Sequence, residues 1–197
     1  APVVVPASQA PCQEQVFYAD DPDFDLRKLL PAPTNTPIDA GPFFCLGLVL
    51  ASDPEDSSLT DVTIHRLCVQ ERDELSMFLA AGRHIEVFRK KAEAAGKPLP
   101  VTINMGLDPA IYIGACFEAP TTPFGYNELG VAGALRQQPV ELVQGVAVKE
   151  KAIARAEIII EGELLPGVRV REDQHTNTGH AMPEFPGYCG EANPSLP

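Results

Sequence analysis

Arg66 interrupts an otherwise apolar stretch running from Val62 to Val69. Its planar guanidinium can hold both oxygens of a carboxylate or phosphate. Taken alone it also reads as an arginine on an exposed strand edge, since most arginines lie at the surface. His84 stands just inside the start of an amphipathic segment. There it is either a solvent-facing histidine or a ligand for a metal or phosphate at the positive end of a helix. Glu128 opens another helical segment, Gly125-Tyr126-Asn127-Glu128-Leu129-Gly130. An acid in a first turn usually only complements the helix dipole. Glu161 reads as the polar member of an alternating strand, Ile158 to Gly162. As a set, Asp61, His84 and Glu128 supply two carboxylates and an imidazole. Those donors suit a hard or borderline divalent cation such as Mn²⁺ or Mg²⁺. The three are far apart in sequence, so spacing alone does not join them.

These side chains need elements to hold them. Phe43 to Ala51 is an apolar run bounded by turn residues, which predicts a buried strand. Further strands are expected over 62–69, 75–80, 100–105, 140–148 and 156–163. Residues 82–95 place Ile85, Phe88 and Ala92 on one face, an amphipathic helix ended by Gly96. Asp108-Pro109 reads as an N-cap followed by proline at the first helical position, opening a helix through Phe117. A third helix is expected over 127–135, and a loop-like tail from Leu164 onward. Many short strands with few helices fit a closed or split barrel better than a doubly wound sheet. Residues 1–42, rich in Pro, Asp and Gln, read as an extended arm or a connector from a preceding part, and 43–197 as the core.

The chain has 197 residues, 45% of them hydrophobic, enough for one sizeable core. Its formal net charge of -12 argues against a nucleic-acid partner. The one basic run, Arg89-Lys90-Lys91, reads as the solvated face of a helix. No stretch has the length and apolarity of a membrane span. The 5 cysteines are odd in number and contain no CxxC pair, which argues against a disulfide framework or zinc site and for a reducing cytoplasm. The missing initial Met and the abrupt end, Asn193-Pro194-Ser195-Leu196-Pro197, suggest a piece of a longer protein.

Several blocks follow one another in order: Met105-Gly106-Leu107-Asp108-Pro109-Ala110, Glu128-Leu129-Gly130-Val131-Ala132-Gly133-Ala134-Leu135, Pro139-Val140-Glu141-Leu142-Val143, and Ala156-Glu157-Ile158-Ile159-Ile160-Glu161-Gly162-Glu163. Together they resemble the UbiD family of decarboxylases, relatives of 3-polyprenyl-4-hydroxybenzoate carboxy-lyase, over residues 40–197. The tail His180-Ala181-Met182-Pro183-Glu184-Phe185-Pro186-Gly187-Tyr188 is most similar to the branch acting on phenolic acids such as gallate, protocatechuate or vanillate.

The resemblance implies an α+β, mainly β fold: a split β-barrel of the FMN-binding type with flanking helices. It implies prenylated FMN, with Mn²⁺ (or Mg²⁺) and K⁺ at the cofactor phosphate. The metal positions fall on Asp61, His84 and Glu128, with Asp61 standing where the family usually has Asn. If Asp61 and Arg66 serve one site, Asp61 must precede the strand proper or the strand must bend, since five is an odd step. Cofactor contacts fall on Arg66, Arg83, His84, Ala115, Cys116 and Glu128, with K⁺ on main-chain carbonyls around Ala115 to Phe117.

The family's catalytic Arg falls on Arg66 and the first of its two Glu residues on Glu184. Arg66 would hold the substrate carboxylate and Glu184 would deliver the replacing proton. The family's Pro-Glu-Gly-Pro-Phe-Gly-Glu pattern stands here as Pro183-Glu184-Phe185-Pro186-Gly187-Tyr188-Cys189-Gly190-Glu191. Direct counting puts the second Glu on Cys189, and Glu191, two residues on, is reachable through a bulge. The implied function is the cofactor-binding core of a non-oxidative, reversible aromatic acid decarboxylase, inactive as an isolated piece. Its implied partners are a small aromatic carboxylic acid, a flavin prenyltransferase that supplies the cofactor, and further copies of the parent enzyme in a homo-oligomer. Two competing readings are a catalytically silent scaffold and an FMN-binding, reductase-like domain that would consume NAD(P)H.

Overall fold

Apolar runs bounded by turn residues become strands along most of the chain, and the computed structural model describes residues 1–117, 122–123 and 125–197. In chain order the elements are β1 (Val3–Val4), α1 (Leu26–Leu29), β2 (Phe43–Ser52), β3 (Thr60–Val69), β4 (Leu75–Met77), α2 (His84–Ala94), β5 (Leu99–Met105), α3 (Pro109–Ala115), α4 (Leu129–Arg136), β6 (Glu141–Gln144), β7 (Lys151–Ile153), β8 (Ile158–Leu164), β9 (His180–Pro183) and β10 (Cys189–Glu191). The result is a mixed α and β fold. Five strands form one sheet in the order β4-β3-β2-β5-β8, three form a second as β1-β6-β7, and β9 pairs with β10. The pairs β2–β5, β5–β8, β3–β4 and β6–β7 are antiparallel, whereas β1 runs parallel to β6.

The chain divides into two compact units, the first made of residues 1–15, 46–64 and 80–166, the second of 16–45, 65–79 and 167–197. Strands β2 and β3 each contribute residues to both. In the first unit Leu48, Leu50, Val62, Leu107, Ile111, Leu129, Val140 and Ile153 form the main buried cluster. Helices α3 and α4 approach so closely that a Cβ on Gly114 would lie 3.0 Å from the Ala132 main-chain nitrogen and 3.0 Å from the Glu128 carbonyl oxygen. Asn104 is fully buried on β5. Its amide donates to the Leu48 carbonyl at 3.0 Å on β2, and its oxygen accepts from the Ile153 N–H at 2.8 Å on β7. In the second unit Ala40, Phe43 and Cys68 form a smaller cluster, with Cys45 and Met182 packed against it.

The expected helices form for the expected reasons. Ile85, Phe88 and Ala92 of α2 are buried, and Gly96 takes φ +64°, a left-handed turn after the helix that a side chain would strain. Asp108 caps α3 by accepting from the Ala110 N–H at 2.9 Å. Several expectations change. The segment expected as an arm over 1–42 pairs β1 with β6 and buries Ala10, Leu26 and Ala40, and the strand expected over 75–80 ends at Met77. The strand expected over 140–148 stops at Gln144 because the Val146, Ala147 and Val148 N–H groups turn onto the Glu161 carboxylate, at 2.8, 2.6 and 3.1 Å. Glu161 therefore closes a loop. The tail after Leu164 contains β9 and β10. In the Arg89–Lys91 run only Lys90 is exposed. Arg89 is buried between Glu86 and Glu93, and Lys91 donates to Asp53 at 2.6 Å. Among the described residues no helix is long and apolar enough to cross a membrane.

Candidate functional site

Two clusters of ionisable side chains stand out, one in each unit. In the first, Asp61, His84 and Glu128 each offer a ligand atom, and these atoms all lie within 4.8 Å of one another. Asp61 is the second residue of β3, inside the strand rather than before it. Strand alternation puts Thr63 on the same face, and its hydroxyl donates to Asp61 Oδ2 at 2.7 Å. The other Asp61 oxygen meets His84 Nδ1 at 3.0 Å, at the first residue of α2.

Glu128 immediately precedes α4, yet its carboxylate does not cap the helix. Asn127 does so instead, accepting from the Leu129 N–H at 3.0 Å while its amide donates to Thr60 at 2.7 Å. That frees the Glu128 carboxylate to turn inward, where it is buried. Burial first, and the negative charge of Asp61 second, push its pKa up to about 7, against the pull of its own backbone N–H and the Thr122 hydroxyl. Glu128 Oε2 is buried and accepts no hydrogen bond from the described residues. No Lys or Arg among them pairs with either carboxylate. A buried acid pair with an orphaned oxygen and an adjacent imidazole fits a hard divalent cation. A cation there would be held by Asp61, His84 and Glu128.

The second cluster centres on Arg66. Its Nε and Nη2 donate to the two oxygens of Glu172 at 2.8 and 2.9 Å, a bidentate pair. Arg66 Nη1 stands 3.6 Å from Glu184 Oε1, and the guanidinium lies over the Phe78 ring at 4.4 Å. The Glu172 side chain is 1% exposed and the Glu184 side chain 39%. The Asn193 N–H also donates to Glu172 Oε2, at 2.9 Å. One carboxylate is thus locked and the other loosely held.

The structure therefore brings Asp61, His84 and Glu128 together, and Arg66 with Glu184. Glu191 stands exposed on β10 and makes no hydrogen bond or ion pair with Arg66, whose carboxylate partners are Glu172 and Glu184. A register irregularity between Cys189 and Glu191 does occur. Ala115 is buried at the end of α3 and Cys116 is exposed after it, while Arg83 is the N-cap of α2. Glu172 is the residue that sequence reasoning missed. Counting forward from Glu184 looked past it. The available signal was the charged triplet Arg171-Glu172-Asp173 breaking a tail otherwise made of turn residues.

Residues 3–197 match the family model described as UbiD, the 3-octaprenyl-4-hydroxybenzoate carboxy-lyase Rift-related domain. The chain is 57% identical over 197 residues to the gallate decarboxylase of Lactiplantibacillus plantarum, covering 100% of this chain and 40% of that protein. It superposes on the apo structure of a 3,4-dihydroxybenzoic acid decarboxylase from Enterobacter cloacae with a TM-score of 0.95 and 99% identity, again over 100% of this chain and 40% of the other. It also superposes on the UbiD-class enzyme HmfF from Pelotomaculum thermopropionicum in complex with prFMN, with a TM-score of 0.87, 37% identity, and 100% and 42% coverage. The chain belongs to the UbiD family. It spans 40% of the length of the gallate decarboxylase and of the Enterobacter enzyme.

Proposed function

We propose that this chain is the flavin-binding core of a non-oxidative, reversible phenolic acid decarboxylase, built as a split barrel of the FMN-binding type. The observation that carries the reading is a strand arginine, Arg66, held between a locked and a loose carboxylate in a member of this family. The substrate class is a benzoic acid with adjacent ring hydroxyls, of the 3,4-dihydroxybenzoate or gallate kind. The relatives that carry those names are the basis for that choice. We assign the enzyme to the cytoplasm, as a homo-oligomer.

Loss of CO₂ from an aromatic ring leaves a carbanion that no side chain can delocalise, and prenylated FMN, when bound, supplies the electron sink. The chain's own residues do the rest. Arg66 takes the substrate carboxylate with its planar fork, in competition with Glu184. Glu172 fixes the direction of that fork through two hydrogen bonds. Glu184, half-exposed at the end of β9, delivers the proton that replaces CO₂. We assign the second carboxylate to Glu172 rather than Glu191, because Glu172 is buried and bidentate on Arg66. Asp61, His84 and Glu128 would hold Mn²⁺ or Mg²⁺, and Arg83 with the α2 start would help to bind the flavin phosphate. The end of α3 at Ala115 and Cys116 would supply carbonyls for K⁺.

The test uses the complete enzyme, co-expressed with a flavin prenyltransferase and assayed with Mn²⁺ and K⁺. A flavin absorbance spectrum plus CO₂ release from 3,4-dihydroxybenzoate or gallate is expected. Glu184→Gln should abolish turnover and leave the spectrum intact. Bound flavin with NAD(P)H consumption and no CO₂ would overturn the reading for a reductase. Absence of both flavin and CO₂ release would overturn it for a scaffold.

A further inference from the structure

Glu172 is buried and acts on Arg66, so whatever fixes Glu172 also aims the arginine. Its side chain is held by Arg66 and by the Asn193 N–H, as described. Its main chain is held as well: the Glu172 N–H donates to the Asn193 carbonyl at 2.9 Å, and its carbonyl accepts from Gln70 Nε2 at 3.0 Å. Gln70 is buried, directly after β3 and four residues from Arg66 on the same chain segment. The same amide nitrogen donates to Ser76 Oγ at 2.8 Å, inside β4, and Gln70 Oε1 accepts from Gln174 Nε2 at 3.0 Å. Ser76 is fully buried.

The orientation of this amide is not free. A carbonyl only accepts, so the nitrogen of Gln70 must face Glu172 and its oxygen must face Gln174. The strand that carries Arg66 therefore reaches across to residue 172 twice: once through the guanidinium, once through Gln70. Two attachments four residues apart fix both the distance and the angle of the carboxylate under the arginine. Without Gln70, the main chain of Glu172 would be held on one side only, through Asn193.

We infer that Gln70 is a positioning residue. Its side-chain amide, seated by Ser76 and Gln174, fixes Glu172 through its main-chain carbonyl and thereby aims Arg66 at the substrate carboxylate. The inference rests on the function proposed above, and its test does not require turnover. Misaiming the hydrogen bonds from an arginine to a ligand carboxylate weakens binding on the order of tenfold to a hundredfold.

The complete enzyme is titrated by calorimetry with 3,4-dihydroxybenzoate and, separately, with catechol, which has the same ring and hydroxyls but no carboxylate. Gln70→Leu should weaken the acid by about tenfold or more and leave catechol within about twofold. Gln174→Ala, which removes only the partly exposed partner of Gln70, should act in the same direction but more weakly. It provides the test if Gln70→Leu fails to fold. Equal weakening of acid and catechol would overturn the inference in favour of general loosening of the pocket. So would unchanged acid binding in folded variants. Selective loss of acid binding in an enzyme that releases no CO₂ would uphold the inference and sink the decarboxylase reading.

Discussion

The two clusters solve the problem of buried charge in opposite ways. Around Arg66 the charges are matched inside the protein: a guanidinium sits on a fully buried carboxylate, with a second carboxylate within 3.6 Å. Around Glu128 no Lys or Arg among the described residues matches them. Two buried acids share one histidine, and one carboxylate oxygen accepts no hydrogen bond from the described residues. Burying an uncompensated charge is costly. An acid pair buried beside an imidazole suits a divalent cation that arrives from outside. The Arg66 cluster is complete without one, and a ligand must displace something to enter it.

This contrast can be broken by mutation. The largest effect is expected at the matched cluster. Glu172→Ala leaves Arg66 without its bidentate partner and should destabilise the protein by about 3–5 kcal/mol, read by urea denaturation. A loss under about 1 kcal/mol would show that Arg66 finds an equivalent partner and that the pairing is replaceable. At the unmatched cluster the sign reverses with conditions. Mn²⁺ at about a hundred times its dissociation constant should stabilise the chain by about 2.7 kcal/mol, read as a shift in melting temperature, and Glu128→Gln should abolish that shift. Glu128→Gln without metal should melt no lower than the parent at pH 8, because the lost group is an acid held at a disadvantage.

A third variant sharpens how the unmatched cluster is positioned. Gly114→Ala drives a methyl into Ala132 and the Glu128 carbonyl, so about 1–3 kcal/mol of stability should be lost and Mn²⁺ should bind more weakly. The same cluster makes the stability of the metal-free chain depend on pH. The folded pKa of Glu128 is raised to about 7 from an unfolded value of 4.5. The folded state therefore binds the proton more tightly. The stability this contributes is fully present below 4.5 and is lost as pH rises through 7. Melting temperatures followed over that range should fall for the metal-free parent, and less for Glu128→Gln.

How much of this was legible differs between the clusters as well. His84 sits where the amphipathic pattern puts it, at the start of α2, whereas Asp61, expected ahead of a strand over 62–69, lies inside β3, and Glu128, expected inside a helix over 127–135, precedes α4. The family resemblance then needed only to join them. The resemblance also named Glu184 with Arg66, and the two stand 3.6 Å apart. Glu172 was not, because it belongs to a tail whose two short strands leave no hydrophobic pattern, and because its partner Arg66 lies 106 residues earlier. The reading of Arg89 as a solvated cation failed for a related reason. Its burial is set by Glu86 and Glu93 on the same helix, a pairing that charge counting treats as surface. Glu161 followed the strand alternation, yet the loop it closes depends on three N–H groups whose turn no residue type announces.

Asn104 carries a consequence beyond the hydrogen bonds it makes. A strand core built only of Val, Ile and Leu is indifferent to sliding by two residues, since each face keeps its character. One carboxamide inside that core ends the indifference. Its nitrogen must find the Leu48 carbonyl and its oxygen the Ile153 N–H. A slip of β2 would part that nitrogen from the Leu48 carbonyl, and a slip of β7 would leave the Asn104 oxygen and the Ile153 N–H without each other, which is costly in a dry core. Asn104 therefore acts as a key that only one alignment of three strands can turn, and it sets the frame from which helix α3 departs only a few residues later along the chain.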